Sequence, residues 1–264
     1  KTKDAIVDRF RETVGRRPDV DAKSPEVRIV VRIVRDECAV SLDTSGESLN
    51  RRGYRTNPSE ASLKETLAAG LLLLAGWQGD EPLIDPACGA GTIPIEAALI
   101  AGNVAPGSLG RSFGFQRLHG FDRKRWEGLL TEAREAARHP VPVRIEGSDI
   151  APAVVAGAMK NASAAKVHER VLFNARSIRN FNPGEGPGTI LCNPPYGVRL
   201  PGGEEVEAFY REMGEALKKR CRGWTAYLLS GNSAVTRFLG LKASRKFPVM
   251  NGPIDCRLLK YELY

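Results

Sequence analysis

The chain has no C-x-x-C pair and only three histidines among its 264 residues. Cys38, Cys88, Cys192, Cys221 and Cys256 lie scattered, so no zinc ribbon or Cys/His cluster is legible. Their odd number argues against a disulfide framework, and a reducing cytoplasm without a bound metal is the expectation. Long apolar runs are also missing. The longest, Leu71 to Ala75, is far too short to span a bilayer. Lys1-Thr2-Lys3-Asp4 leads into an amphipathic stretch and not into the apolar core of a signal peptide. Acid is in deficit: 39 Lys and Arg against 31 Asp and Glu leave a net charge of +8 and a pI near 9.4. That balance favours a polyanionic partner, RNA or DNA.

One stretch organises what is present: Leu83-Ile84-Asp85-Pro86-Ala87-Cys88-Gly89-Ala90-Gly91-Thr92. An apolar run ends in an acid, a glycine turn follows, and a helix begins near Thr92. Gly89 and Gly91 let a ligand approach the backbone. A dinucleotide site reads G-x-G-x-x-G and binds pyrophosphate on free amides. Here the third glycine is absent and Asp85 repels phosphate. A carboxylate beside glycine amides suits a zwitterion, whose ammonium and carboxylate need opposite partners. The stretch resembles motif I of the S-adenosylmethionine-dependent methyltransferases.

Ahead of it, residues 4–14 place Ile6, Val7, Phe10 and Val14 at helical spacing, and Gly15 ends that helix. Residues 27–34 alternate as a strand, Asp36-Glu37 turns, and Cys38 to Leu42 returns. A helix and one hairpin cannot bury a core alone. The expectation is the tail of a larger module, and the region resembles the C-terminal half of a THUMP domain. Leu49 to Arg55 carries three arginines around Gly53 and Tyr54, which suits either a solvated linker or a grip on a phosphate backbone with a stacked base. Glu60 to Ala75 reads as a helix with Leu63, Leu67, Leu71 and Leu74 on one face.

After the Thr92 helix an insertion spans 104–140. It interleaves Arg111, Phe113, Phe115 and Arg117, a pattern for flexible RNA. Trp126 reads as packing its helix on the core with Leu129 and Leu130. Asp149 ends the next strand and is placed to accept from ribose hydroxyls; Asp122 follows a poorer strand. After the third strand, Val171 to Phe173, no acid appears for an adenine amine, and main chain near Arg176 or Ser177 is the expected substitute.

Thr189 to Cys192 is a fourth strand, ending in Asn193-Pro194-Pro195-Tyr196. This resembles motif IV of methyltransferases acting on exocyclic amines of bases. An aryl amine is a poor nucleophile because its lone pair is delocalised into the ring. The Asn193 side-chain oxygen and the Pro194 carbonyl can each take one N–H and free that lone pair. Pro195 stiffens the turn, and Tyr196 stacks on a flipped base. The competing chemistry, carbon-5 methylation of pyrimidines, needs a thiolate. Cys192 lies inside a strand and Cys88 in the glycine turn, so both read as packing residues. Helices over 203–220 and 233–239, a strand over 224–229, and strands over 241–247 and 254–261 complete the pattern.

Arg52-Gly53-Tyr54-Arg55, Leu63 to Ala68, Asn193 to Leu200 and Asn251 to Cys256 together resemble the THUMP-containing bacterial ribosomal RNA guanine-N2 methyltransferases, especially those of the large subunit. The resemblance implies an α/β fold: a Rossmann-like seven-stranded sheet with its last strand antiparallel, preceded by a partial α+β THUMP module. It implies three segments: 1–48 as THUMP-like, 49–76 as linker and leading helix, and 77–264 as the methyltransferase domain with the insertion. The expected cofactor is S-adenosylmethionine, held by Asp85, Pro86, Ala87, Cys88, Gly89, Gly91, Thr92, Asp149, Ile150, Arg176 and Ser177. Asn193, Pro194, Pro195 and Tyr196 are the expected catalytic set. Arg51, Arg52, Arg55, Arg111, Arg117 and Arg199 are the expected RNA contacts. A tRNA guanine-N2 methyltransferase, or a non-catalytic RNA-binding assembly factor, are the alternatives.

Overall fold

The computed structural model describes residues 1–21, 25–55, 63–138, 143–195 and 203–264. The chain divides into two compact units: 1–48 with 112–124, and 49–111 with 125–264.

In the first unit, α1 (Thr2–Val14) ends where Gly15 takes a left-handed conformation with φ 75°. Strands β1 (Arg28–Val34) and β2 (Glu37–Asp43) pair antiparallel, with Arg28 opposite Asp43 and Val34 opposite Glu37. The turn is Arg35-Asp36, both at positive φ, one residue earlier than the sequence suggests. Two consecutive positive φ values match the right-handed twist of a hairpin. No residue of α1 is buried, and β1 is exposed along its whole length. The insertion does not lie wholly with the methyltransferase part, because 112–124 joins this unit. The Phe115 amide donates to the Thr44 carbonyl at 2.9 Å. A side chain at Gly114 would come within 2.6 Å of the Asp43 carbonyl oxygen, so only glycine permits this approach. Phe113 stacks on Phe115 at 5.3 Å, and Phe121 lies 5.9 Å from Phe115. These rings and that glycine tie the segment to the end of β2.

The second unit is built on a sheet. Its elements are α2 (Glu65–Ala75), β3 (Leu83–Asp85), α3 (Thr92–Ala101), β4 (Ile145–Asp149), α5 (Pro152–Ala164), β5 (Leu172–Ala175), β6 (Thr189–Cys192), α6 (Gly203–Arg220), β7 (Thr225–Ser230), α7 (Ser233–Thr236), β8 (Arg245–Asn251) and β9 (Ile254–Glu262). Helix α4 (Arg123–Glu135) leads into this unit from the first. The strand order is β5-β4-β3-β6-β7-β9-β8, with β9 antiparallel to both neighbours and the strands from β5 to β7 parallel. This is the seven-stranded class I methyltransferase sheet.

The central strands β3 and β6 are buried on both faces, as continuous apolar runs under covering helices should be. Chain order reverses between β3 and β4 on one side and β3 and β6 on the other. A ligand crevice is expected at the carboxyl ends of strands beside such a switch. Helix α6 buries Val206, Tyr210, Met213, Ala216 and Leu217 along one stripe, with Glu204 and Glu205 in its first turn and Lys218, Lys219 and Arg220 in its last. That charge order complements the helix dipole.

Three packing expectations are corrected. Helix α2 starts at Glu65 and buries Ala68, Leu71 and Leu72, so Leu74 turns out to solvent at 45 % exposure. Helix α4 buries no residue, and Leu129 is 49 % exposed, so Trp126 and Leu129 do not anchor it in the core. Strand β8 begins at Arg245, four residues later than expected from Leu241, after a short stretch of irregular chain.

Candidate active site

A cavity of about 410 Å³ opens at the carboxyl ends of β3, β4, β5 and β6. The motif after β3 supplies Asp85, Pro86, Ala87, Cys88, Gly89 and Thr92; Asp149 and Ile150 come from β4, Arg176 and Ser177 from β5, and Asn193 and Pro195 from β6. Four strand ends therefore bring together residues more than 100 positions apart in sequence, as the topology requires.

Asp85 is 2 % exposed. Burial lifts its carboxyl to a pKa of about 7, although the Ala87 amide, donating to Oδ1 at 3.2 Å, and the Cys192 thiol oppose the rise. Among the described residues no cation contributes to its titration, and a buried carboxylate of this kind calls for one from a ligand. Asp149 is braced differently. Its Oδ2 accepts from the Gly89 amide at 3.2 Å and its Oδ1 from the Ala151 amide at 3.1 Å. These bonds fix the carboxylate at the strand end. Asp122 lies on no strand, so Asp149 alone of the two candidate acids stands at a strand end.

The two glycines of the turn do different work. At Gly89 (φ 52°) a side chain would point into open space, so bare backbone faces the cavity. At Gly91 (φ 77°) it would meet the Ala158 methyl at 2.9 Å and the Phe173 ring at 3.0 Å. Gly91 does not line the cavity. It lets α3 pack closely on α5 and β5.

Asn193 sits just past β6 with its side-chain oxygen buried and, among the described residues, without a hydrogen-bond partner. A buried acceptor left unpaired costs roughly 1–3 kcal/mol. It stands on the wall of the same cavity as Asp85 and Asp149. Pro194 is buried and does not line the cavity, while Pro195 does. Tyr196 and Arg199 lie outside the described residues.

The thiols are inert by position. Burial pushes both Cys88 and Cys192 well above the ordinary thiol range, and the neighbouring Asp85 adds to the effect on each. A thiol so held is not a nucleophile.

Two of the expected RNA contacts, Arg52 and Arg55, are engaged inside the protein, as is Tyr54 beside them. Arg52 is largely buried and pairs with Glu96 at 3.3 Å; Tyr54, 2 % exposed, donates its hydroxyl to the same carboxylate at 3.0 Å. Arg55 pairs with Glu65 at 3.3 Å and donates to the Leu63 carbonyl at 2.8 Å and the Thr92 hydroxyl at 3.2 Å. These side chains fasten the lead-in segment to α2 and α3 as internal clamps. Arg51 and Arg117 are exposed, Arg117 donating to the Pro25 carbonyl at 3.4 Å, and Arg111 is half-buried.

Ala90, Ile93, Ile178, Phe209 and Glu212 also line the cavity without being expected there, and Leu63, expected only on a helix face, joins them. Phe209 and Glu212 share one face of α6, three residues apart, which is the signal that links them.

Among the described residues, no group of three or more His, Cys, Asp or Glu side chains can hold a metal ion, and no helix is long and apolar enough to cross a membrane.

Known proteins show the same architecture. A family profile described as "RMKL-like, methyltransferase domain" matches residues 52–260, and a THUMP domain profile matches residues 1–43. The Synechocystis sp. protein slr0064, a candidate RNA methyltransferase by its name, is 42 % identical over 264 residues, covering all of this chain and 69 % of that protein. The ribosomal RNA large subunit methyltransferase K/L of Methylococcus capsulatus is 41 % identical over 269 residues. This chain spans 36 % of its length. The crystal structure of SMU.472 complexed with SAH superposes with a TM-score of 0.88 at 33 % identity, over all of this chain and 69 % of that one. By its profile match and by these relatives, the chain belongs to the RMKL-like methyltransferase family, with THUMP sequence ahead of the methyltransferase domain.

Proposed function

We propose that the cavity binds S-adenosylmethionine and that the protein methylates an exocyclic base amine in RNA, N2 of a guanosine in large-subunit ribosomal RNA. The residues fit that cofactor. Asp85 offers a buried carboxylate to its ammonium, Gly89 offers open backbone, and Asp149 offers a braced carboxylate to the ribose hydroxyls. When bound, the cofactor supplies an electrophilic methyl group.

The observation that carries the reading is the buried, unpartnered oxygen of Asn193 on the wall of that cavity. It is an acceptor waiting for a donor, and a base amine is one. An N–H held there helps release the nitrogen lone pair from the ring and directs it at the methyl. Positioning supplies much of the rate, and the amine proton leaves after transfer, so no strong base is needed. Acceptors of this kind hold any base amine. The choice of guanine N2, and of ribosomal over transfer RNA, rests on the sequence resemblance and on the names of the K/L relatives.

The test is single-turnover methyl transfer from labelled S-adenosylmethionine to ribosomal and transfer RNA, followed by nucleoside mass analysis. N2-methylguanosine in ribosomal RNA is the expected product. Asn193→Ala should cut turnover about a hundredfold or more while leaving cofactor affinity near that of the wild type. N6-methyladenosine, or product only in transfer RNA, would replace the substrate assignment. Near-normal turnover in Asn193→Ala would remove the catalytic one.

A further inference from the structure

Resting on that reading of the cavity, we infer that Glu212 on α6 accepts the adenine amine of the cofactor and supplies the acid missing after β5. Many methyltransferase sequences place that acid behind the third strand. Here the positions are Asn174, Ala175, Arg176 and Ser177, and none is acidic.

The cavity wall supplies one from another element. Glu212 and Phe209 of α6 line it together with Ser177 and Ile178. A connected chain of bonds leads from the glycine turn to Glu212. The Gly89 amide donates to Asp149, and the Arg176 amide donates to the Asp149 carbonyl at 2.9 Å. The Arg179 amide donates to the Ser177 hydroxyl oxygen at 3.3 Å, and the Arg179 guanidinium pairs with Glu212 Oε1 at 2.6 Å. These bonds tie Asp149, Ser177 and Glu212 into one wall of the cavity, and with the ribose at Asp149 that wall is where we place the base.

The local chemistry suits a purine. Ile150, Ile178 and Phe209 give the wall apolar surface for the ring faces. Arg179 occupies one oxygen of Glu212, and among the described residues no other hydrogen bond or ion pair falls on that carboxylate. Its second oxygen is left to accept an N–H. Arg179 orients the carboxylate and keeps its charge balanced. Glu212 is about one-quarter exposed, so it is sheltered enough for a charge-assisted bond to count.

A calorimetric comparison tests this directly. The ligands are S-adenosylhomocysteine and its analogue with purine in place of adenine, which lacks only the amine. The wild type should prefer the first about ten- to hundredfold, the range of a charge-assisted hydrogen bond. Glu212→Ala should abolish the preference, and Glu212→Gln, which keeps a neutral acceptor, should retain part of it. Equal weakening of both ligands in Glu212→Ala with the preference intact would mean a merely structural role, and would overturn the inference. So would a wild type that binds both ligands alike. Failure of the wild type to bind S-adenosylhomocysteine at all would instead sink the proposed function, so the two failures are distinguishable. Thermal melts of each variant confirm that the compared proteins are folded.

Discussion

Cys192 and Asp85 stand at the ends of two neighbouring parallel strands, β6 and β3, and each shifts the titration of the other. One of the two motifs carries the acid and the other leads into Asn193, so this proximity joins the two halves of the cavity wall. It also leaves Asp85 in an unusual state. Burial outweighs the thiol and the Ala87 amide, and the carboxyl titrates at about 7 instead of 3.8.

The sign of the consequence follows from linkage. A carboxyl whose folded pKa is raised prefers its proton in the folded state. The stability it contributes is fully present below the unfolded pKa and is lost as pH rises through about 7. Three pKa steps at a fully buried group amount to about 4 kcal/mol. The ligand-free protein should therefore lose melting temperature between pH 4 and 8, and Asp85→Asn should flatten that loss. Cofactor binding should run the other way: an ammonium needs the ionised carboxylate, so affinity should rise from pH 6 to 7.5 in the wild type and stay flat in Asp85→Asn. Calorimetry across that range checks both signs.

Cys192 itself is predicted to be chemically silent. Its thiol is fully buried and pushed far up, so iodoacetamide at pH 8 should leave it unmodified in the folded protein. Cys192→Ser keeps a donor toward Asp85 and should retain substantial methyl transfer. A covalent protein–RNA adduct that disappears in Cys192→Ser would instead establish thiolate chemistry.

The clamp between Arg52 and Glu96 carries a stability prediction. Glu96 is 1 % exposed, burial raises its pKa, and Arg52 and Tyr54 pull it back. Removing one partner of such a pair leaves an uncompensated buried charge, at a cost of about 3–5 kcal/mol. Arg52→Ala should therefore lower the urea midpoint sharply, and Arg52→Ala with Glu96→Gln should recover much of the loss. If Arg52 instead served RNA alone, the midpoint would not move and only RNA affinity would fall.

These clamps show where the sequence was legible and where it was not. The strand ends carrying Asp85, Asp149 and Asn193 announce themselves, because an apolar run that stops at a polar residue is a local signal. Arg52 and Arg55 mislead, because charged residues beside Gly53 look like a solvated linker until their partners are known. A clue was available in Glu96, the only acid in Thr92-Ile93-Pro94-Ile95-Glu96-Ala97-Ala98-Leu99-Ile100-Ala101. A lone acid in a helix apolar on every side must find a cation. Glu212 gave no such clue: it sits in the middle of an amphipathic helix, 19 positions after Asn193, and only the fold brings it to the cavity. The union of 112–124 with the first 48 residues was likewise invisible, since it depends on the Gly114 approach to β2 across some 70 residues of chain.

The glycines of the turn should separate stability from binding. Alanine at either position must adopt a left-handed backbone, at a cost of about 1–2 kcal/mol. At Gly91 the added methyl also collides with Ala158 and the Phe173 ring at 2.9 and 3.0 Å. Overpacking of that kind adds about 1–3 kcal/mol, so Gly91→Ala should melt well below the wild type. At Gly89 the methyl meets none of the described residues. It projects beside the backbone that faces the cavity, where the cofactor is proposed to lie. Gly89→Ala should show only the backbone cost in its melt, yet lose S-adenosylhomocysteine affinity by a larger factor than Gly91→Ala does in protein that remains folded. Melting curves and calorimetry on the two variants make the comparison. Equal affinities for Gly89→Ala and the wild type would move the ligand off the glycine turn.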